Sequence, residues 1–232
     1  MIGTDQSTGE SSAGRSAGPL LCRVFGCSDE LAGQILLRGR LRQYAGRATM
    51  VKRGDRISTL YVIIAGRAHA LVYSIEGQAV LLHEYLSGDF FGAVSAPYEG
   101  EHEADVLVID AVDAFLLDGG ELALLAEQHG SIGLALLGLM VRRLHQTASR
   151  MYEHAALTAV GRVCSELLRQ ARQSEDYAIR PCPMVSDLAL RVSTTRETAS
   201  RAVNALERRG IIRRDDKALV IVAPHRLEEL IL

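Results

Sequence analysis

Hydrophobic and polar positions change period three times along this chain. In the front half, short apolar runs rich in branched and aromatic residues read as strands: Leu60-Tyr61-Val62-Ile63-Ile64, Ala70-Leu71-Val72-Tyr73, Val80-Leu81-Leu82-His83-Glu84-Tyr85, Val106-Leu107-Val108-Ile109 and Ala114-Phe115-Leu116-Leu117. Gly54, Gly66, Gly77 and Gly88 fall between such runs at intervals of eleven or twelve residues, as turn glycines. Short strands at regular turn spacing predict an all-β barrel or roll. From residue 120 to about 154 the period becomes helical, and one long helix is expected. Gly133, Leu137, Met140, Leu144, Thr147, Met151 and His154 recur at spacings of 4, 3, 4, 3, 4 and 3, a heptad seam that points to a coiled-coil dimer. Leu134, Leu136 and Leu139 lie off that seam, so the same helix is also suited to packing on its own roll. After residues 155–158, a candidate hinge, Val160, Val163, Cys164, Leu167 and Leu168 restart an apolar helical face.

The C-terminal pattern is the most specific. Residues 186–190 read as a short helix and Val192-Ser193-Thr194 as a turn, with Ser186 a late helix cap. Residues 195–206 then have a clean helical period. Ala199, Ala202, Val203 and Leu206 form the apolar stripe, while Arg196, Glu197, Ser200, Arg201 and Asn204 share the polar face. Gly210 ends that helix, and residues 211–214 and 218–222 alternate as a hairpin around Asp215-Asp216-Lys217. A short helix, a turn, a polar-faced helix and a basic hairpin together predict a winged helix-turn-helix, with the second helix entering a DNA major groove. That polar face holds donors and acceptors able to reach base edges, and Thr195, Ser200, Asn204, Arg213 and Arg214 are expected in support. Two plainer roles compete for Glu197: an ion pair with Arg201 four residues on, and a capping box with Thr194.

Charge sharpens this division. The chain carries a net charge of −2, yet residues 185–217 hold eight Arg or Lys against five Asp or Glu. Residues 84–130 are the reverse, with eleven Asp or Glu and no Arg or Lys. Hydrophobic content of 48% and charged content of 23% describe an ordinary globular chain, and there is no apolar run of eighteen residues, so no membrane partner is expected. The Gly/Ser-rich stretch 1–19 lacks the apolar core of a signal peptide and reads as a disordered tail, which places the protein in the cytoplasm. Cys22, Cys27, Cys164 and Cys182 lack the close spacing of a cluster-binding set, and the histidines show no metal-ligand spacing, so neither an iron–sulfur cluster nor haem on His69 or His83 is expected.

Arg196-Glu197-Thr198, then Ser200-Arg201, followed by a winged hairpin, resembles the reader domain of the cyclic-AMP receptor (CRP/FNR) family of bacterial transcription regulators. Gly54-Asp55, Ile64-Ala65-Gly66-Arg67, Glu76-Gly77 and Gly88-Asp89-Phe90-Phe91-Gly92 resemble the turns of that family's cyclic-nucleotide-binding roll. The resemblance implies an α+β fold in four parts: a tail (1–19), a β-roll (20–119), a dimerisation helix (120–154) and a winged helix-turn-helix (155–232). It also implies that Arg196 and Arg201 read guanine edges and Glu197 a cytosine amino group. It implies a homodimer, a palindromic double-stranded DNA operator with TGTGA-like half-sites, and contact with RNA polymerase. Two departures stand out. Ser193 occupies the turn position usually held by Gly, where a left-handed backbone costs an L residue about 1 kcal/mol. The family's phosphate-binding Glu, Arg and Ser positions hold Ala93, Glu103 and Ala104, while Thr147 retains a position that reaches the nucleotide base. A carboxylate in place of the arginine repels a phosphodiester, so cyclic AMP is not expected as a cofactor.

Three readings of the roll stay open: a structural scaffold with constitutive DNA binding, a pocket for a neutral or cationic effector, or a roll bypassed by a ligand bound elsewhere. His83, Glu84, His102 and Glu103 are read as a solvated acidic surface. Nothing resembles a phosphate loop or a nucleophile elbow, so an enzyme is not expected. A non-DNA regulatory subunit on the same roll is the remaining alternative, and Arg196, Glu197 and Arg201 argue against it.

Overall fold

The computed structural model describes residues 12–93 and 101–231. It divides into two compact units, one running to Arg142 apart from residues 74–81, the other comprising residues 74–81 and Arg143 onward. The division therefore falls inside a helix rather than at the expected 154/155 boundary.

The first unit opens with helices α1 (Ser12–Phe25) and α2 (Asp29–Arg38). The expected tail is thus corrected over residues 12–19, while residues 1–11 lie outside the described residues. Glycine and serine suggest disorder there, yet Ala17, Leu20, Leu21, Val24 and Phe25 are buried, and packing of that apolar stripe outweighs weak propensity. Ser28 caps α2 by accepting from the Leu31 N–H at 3.3 Å, and Asp29 and Glu30 follow in the first turn, where the helix dipole favours anions.

Six strands form the roll: β1 (Arg40–Tyr44), β2 (Thr49–Val51), β3 (Thr59–Tyr73), β4 (Ala79–Tyr85), β5 (Phe90–Gly92) and β6 (Asp105–Asp118). The order is β1-β6-β3-β4, with β2 added to β6 and β5 to β3. The runs 60–64 and 70–73 belong to one strand, as do 106–109 and 114–117. Gly66 accordingly sits at a bulge inside β3, not at a turn between strands. Its φ is +88°, the β3–β6 register shifts around it, and a Cβ there would lie 2.0 Å from the Ala111 carbonyl oxygen.

Alternation is masked along residues 62–64 and 68–71 of β3 and 114–117 of β6, which are buried on both faces. Leu60, Val62, Ile64, Phe90, Phe115 and Leu117 pack with the helices, while Ile63, Tyr85, Phe91, Ala104, Val106, Ala114 and Leu116 fill the roll's interior.

The expected single helix is two: α3 (Gly119–Gln128) and α4 (Gly130–Ala156), bent by 118°. Asp118 caps α3 through the Gly120 N–H, and His129 has extended backbone between the helices. Leu122 and Leu125 of α3 and Ile132 and Leu136 of α4 all join the helix-side core of the roll. A straight helix through the weak helix former Gly130 would give up part of that burial.

The second unit contains α5 (Ala159–Ala171), β7 (Ala178–Ile179), α6 (Val185–Arg191), α7 (Arg196–Arg208), β8 (Ile212–Arg214), β9 (Leu219–Ile221) and α8 (Pro224–Glu228). A separate core of Val163, Cys164, Leu167, Leu188, Ala199, Val203, Leu206 and Ile211 holds these together. Strands β7-β9-β8 form a small antiparallel sheet; the hairpin β8–β9 is the wing anticipated from sequence. No single helix among the described residues is long and apolar enough to cross a membrane.

Candidate nucleic-acid interface

Helix α7 forms because Ala199, Ala202, Val203 and Leu206 recur on one face and are all buried. It begins after Thr195, whose hydroxyl accepts from the Thr198 N–H at 3.2 Å. The cap is therefore Thr195, not the Thr194–Glu197 box. Ahead of it, α6 starts after Met184, which offers no side-chain cap, and Ser186 lies within the helix rather than capping it. Ser193 has φ +47°, the left-handed conformation that its place in the turn suggested.

Arg196, Glu197 and Arg201 are exposed together on the outer face of α7. The expected alternative, a Glu197–Arg201 ion pair, does not form: Arg201 Nη2 donates to Thr198 Oγ1 at 3.3 Å. Thr198 thus orients the guanidinium of Arg201. The contact had a signal in the spacing, since Thr198 lies three residues before Arg201 on the same face. Glu197's own backbone N–H, then the Thr195 hydroxyl, then nearby arginines hold the Glu197 carboxyl below the usual range. It is an ionised acceptor on the exposed face of a helix's first turn.

The supporting residues divide. Arg213 is exposed on the wing. Arg214 Nη2 donates to Asn204 Oδ1 at 2.6 Å and Arg214 Nε pairs with Glu207 at 3.0 Å, so this group ties the wing to α7. The Thr195 hydroxyl serves the cap, and Ser200 is half-buried. At the wing tip Asp215 Oδ1 accepts from the N–H groups of Lys217 and Ala218, both at 2.8 Å, closing the hairpin; those two bonds also hold its carboxyl below the usual range.

On α4, the exposed apolar row shares Leu137, Leu144 and Met151 with the expected seam and differs at the positions between them. Leu137, Leu144 and Met151 are exposed, as expected, and so is Thr147. Met140, however, packs with Leu139 against the helix-side core of the roll. Leu134 is exposed instead of serving that contact, and Val141 and Ala148 are exposed too. The exposed row is Leu134, Leu137, Val141, Leu144, Ala148 and Met151, again alternating threes and fours.

In the roll, Ala93 and Ala104 are buried and Glu103 is exposed. Ala104 belongs to the inner core, beside a stack of aromatic rings in which Tyr61 and Phe91 lie parallel at 4.7 Å and Tyr85 meets Phe91 at 4.8 Å. Glu101, His102 and Glu103 border a surface depression with Gly54 and Arg53, a cation from outside the acidic stretch. The solvated-surface reading of the His/Glu group is corrected for two members. His102 is buried with Nδ1 on the Ala104 carbonyl at 2.7 Å, and Glu84 lies 3.2 Å from His69 Nε2 and 3.7 Å from Arg67. His83 leans on the Tyr85 ring at 4.7 Å. Thr147 Oγ1 donates to the Arg143 carbonyl.

Comparison with known proteins agrees with this architecture. A cyclic nucleotide-binding domain model matches residues 41–129, and a Crp-like helix-turn-helix domain model matches residues 161–230. The chain is 27% identical over 187 residues to the cAMP-activated global transcriptional regulator CRP of Salmonella typhimurium, covering 78% of this chain and 89% of that one. It is 27% identical over 197 residues to the cAMP-activated global transcriptional regulator Vfr of Pseudomonas aeruginosa, covering 81% and 92%. Among solved structures, the c-di-GMP responsive global regulator CLP of Xanthomonas campestris aligns with a TM-score of 0.71 at 20% identity over 84% of this chain and 99% of that one. A CooA variant from Carboxydothermus hydrogenoformans gives 0.75 at 16% identity over 86% and 90%. At such identities the structural matches speak to fold.

Proposed function

The chain belongs to the CRP/FNR family of bacterial transcription regulators, and from that premise we propose that it is a homodimer that reads a palindromic, TGTGA-like operator without cyclic AMP. That it is a DNA-binding regulator rather than an enzyme follows from the family. The observation that carries the rest is the exposed row Arg196, Glu197 and Arg201 on α7, held on a capped, well-packed helix beside a basic wing. Two such helices related by a two-fold axis reach successive major grooves, so the operator is an inverted repeat. The exposed apolar row of α4 supplies the axis, since six side chains on a heptad repeat need a second copy to bury them. RNA polymerase contact and a cytoplasmic location belong to the same reading.

Cyclic-AMP independence rests on Ala93, Glu103 and Ala104. The CRP and Vfr relatives are cAMP-activated. Here the two alanines offer no polar group, and Glu103 repels an anion. No haem, iron–sulfur cluster or other cofactor enters this reading. One observation favours a second version, gating by a different effector: the depression at Glu101, His102 and Glu103 suits a neutral or cationic molecule.

Selection of bound duplexes from a random pool tests the operator. The expected product is an inverted repeat of TGTGA-like half-sites about one helical turn apart, centre to centre. Recovery of a single half-site, or of no consensus, would contradict the dimeric reader.

A further inference from the structure

We infer that Arg162 is a positioning residue for DNA readout, tying the joint between α4 and α5 to the turn that launches α7. Its guanidinium bonds three backbone carbonyls. Nη1 donates to Leu157 at 3.1 Å, Nε to Val192 at 3.0 Å and Nη2 to Ser193 at 3.5 Å. Leu157 lies between α4 and α5, whereas Val192 ends α6 and Ser193 is the next residue of the turn. In the turns and loops among the described residues, none of these three carbonyls accepts a backbone hydrogen bond. A planar fork with donors on both edges is the side chain able to serve three acceptors from two segments at once.

Both ends of this tie matter. At the joint, the Thr158 hydroxyl caps α5 through the Gly161 N–H, and Ser165 Oγ donates to Glu153 of α4 at 2.9 Å, so the end of α4 is already fixed to α5. At the turn, Ser193 sits at φ +47° with a side chain that disfavours it. One Arg162 bond lands on Ser193 itself and another on Val192 beside it. The direction in which α7 presents Arg196, Glu197 and Arg201 is therefore set by a side chain rooted one turn inside α5. Base contacts need close placement, whereas phosphate contacts tolerate small shifts. Arg162 thus acts on specificity without touching DNA. The inference rests on the reading of α7 as the DNA reader, and its first readout is chosen to need no DNA.

Amide hydrogen exchange of the full chain is compared for wild type, Arg162→Ala and Arg162→Lys. The Ser193 and Thr194 amides, bonded to the Leu190 and Ala189 carbonyls, are expected to exchange about ten-fold faster in the alanine variant, with lysine intermediate and the centre of α5 unchanged. Fluorescence anisotropy on a TGTGA/TCACA duplex should show about ten-fold weaker binding, with a scrambled duplex unaffected. If Arg162→Ala does not fold, Arg162→Lys, which keeps the charge but not the fork, carries the comparison. Unchanged exchange at Ser193 and Thr194 in a folded variant overturns the inference, as does equal loss on both duplexes. A wild-type protein indifferent to the duplex counts against the DNA reading alone, because faster exchange at the turn would still support the tie.

Discussion

Arg201 stands on the outer face of α7 with its guanidinium steered by the Thr198 hydroxyl, so its removal should cost base recognition rather than folding. Arg201→Ala is expected to weaken operator binding roughly ten- to hundred-fold and to relax base preference at one position, as read by anisotropy on single-base operator variants. Arg213, exposed on the wing, faces a different test. Arg213→Ala should weaken all duplexes alike and lower the salt slope of binding by about one. If Arg201→Ala instead weakens every duplex equally, it is a phosphate contact. That Arg196, Glu197 and Arg201 share one exposed face was legible in the sequence, because helical period alone places them there. The pairing of Arg214 with Asn204, and the reach of Arg162 to Val192, were not. They join residues ten and thirty positions apart, and no local period encodes such contacts. The Ser193 turn was legible for the opposite reason, since its strain is a property of one residue's backbone.

At the scale of elements, Gly66 and α4 carry the sharpest expectations. Gly66→Ala places a Cβ 2.0 Å from the Ala111 oxygen at a left-handed φ, and should destabilise the roll by about 3 kcal/mol in denaturant unfolding. An exposed turn glycine would tolerate the change with far less loss, and such a result would remove the bulge from β3. On α4 the two candidate registers separate cleanly. Val141→Glu should convert the dimer to a folded monomer in sedimentation velocity, because Val141 lies on the exposed row. Met140→Ala should leave the dimer intact and lower stability by about 2 kcal/mol, because Met140 packs on the roll. The reverse pattern would restore the register read from spacing alone. Spacing alone did not separate Met140 from Val141, since a helix with apolar residues on both sides offers two equally good rows. Likewise, strand-forming runs were visible while their fusion into β3 and β6 was not, because a bulge glycine and a turn glycine look alike in sequence. The bend at His129 was hidden for a related reason: it is imposed by Leu122, Leu125, Ile132 and Leu136 all meeting one core.

For the whole molecule, the proposed function assigns DNA reading to α7 and denies the roll a cyclic-AMP site. On the proposed reading, Ala93, Glu103 and Ala104 stand where the family resemblance puts the groups that receive a cyclic phosphate. Residues 84–130 contain no Arg or Lys, although Arg53 lines the depression at Glu101, His102 and Glu103. Arg196, Glu197 and Arg201, the proposed readers, are exposed together on one face of α7. These two observations make one central claim, that the ligand-free protein binds its operator specifically and cyclic AMP does not alter that binding. The most direct measurement is fluorescence anisotropy of the purified protein on a palindromic TGTGA/TCACA duplex and on a scrambled duplex at equal salt, each with and without cyclic AMP. The account predicts tighter binding to the palindrome, by a margin that cyclic AMP leaves unchanged. Discrimination that emerges only when cyclic AMP is added would contradict it.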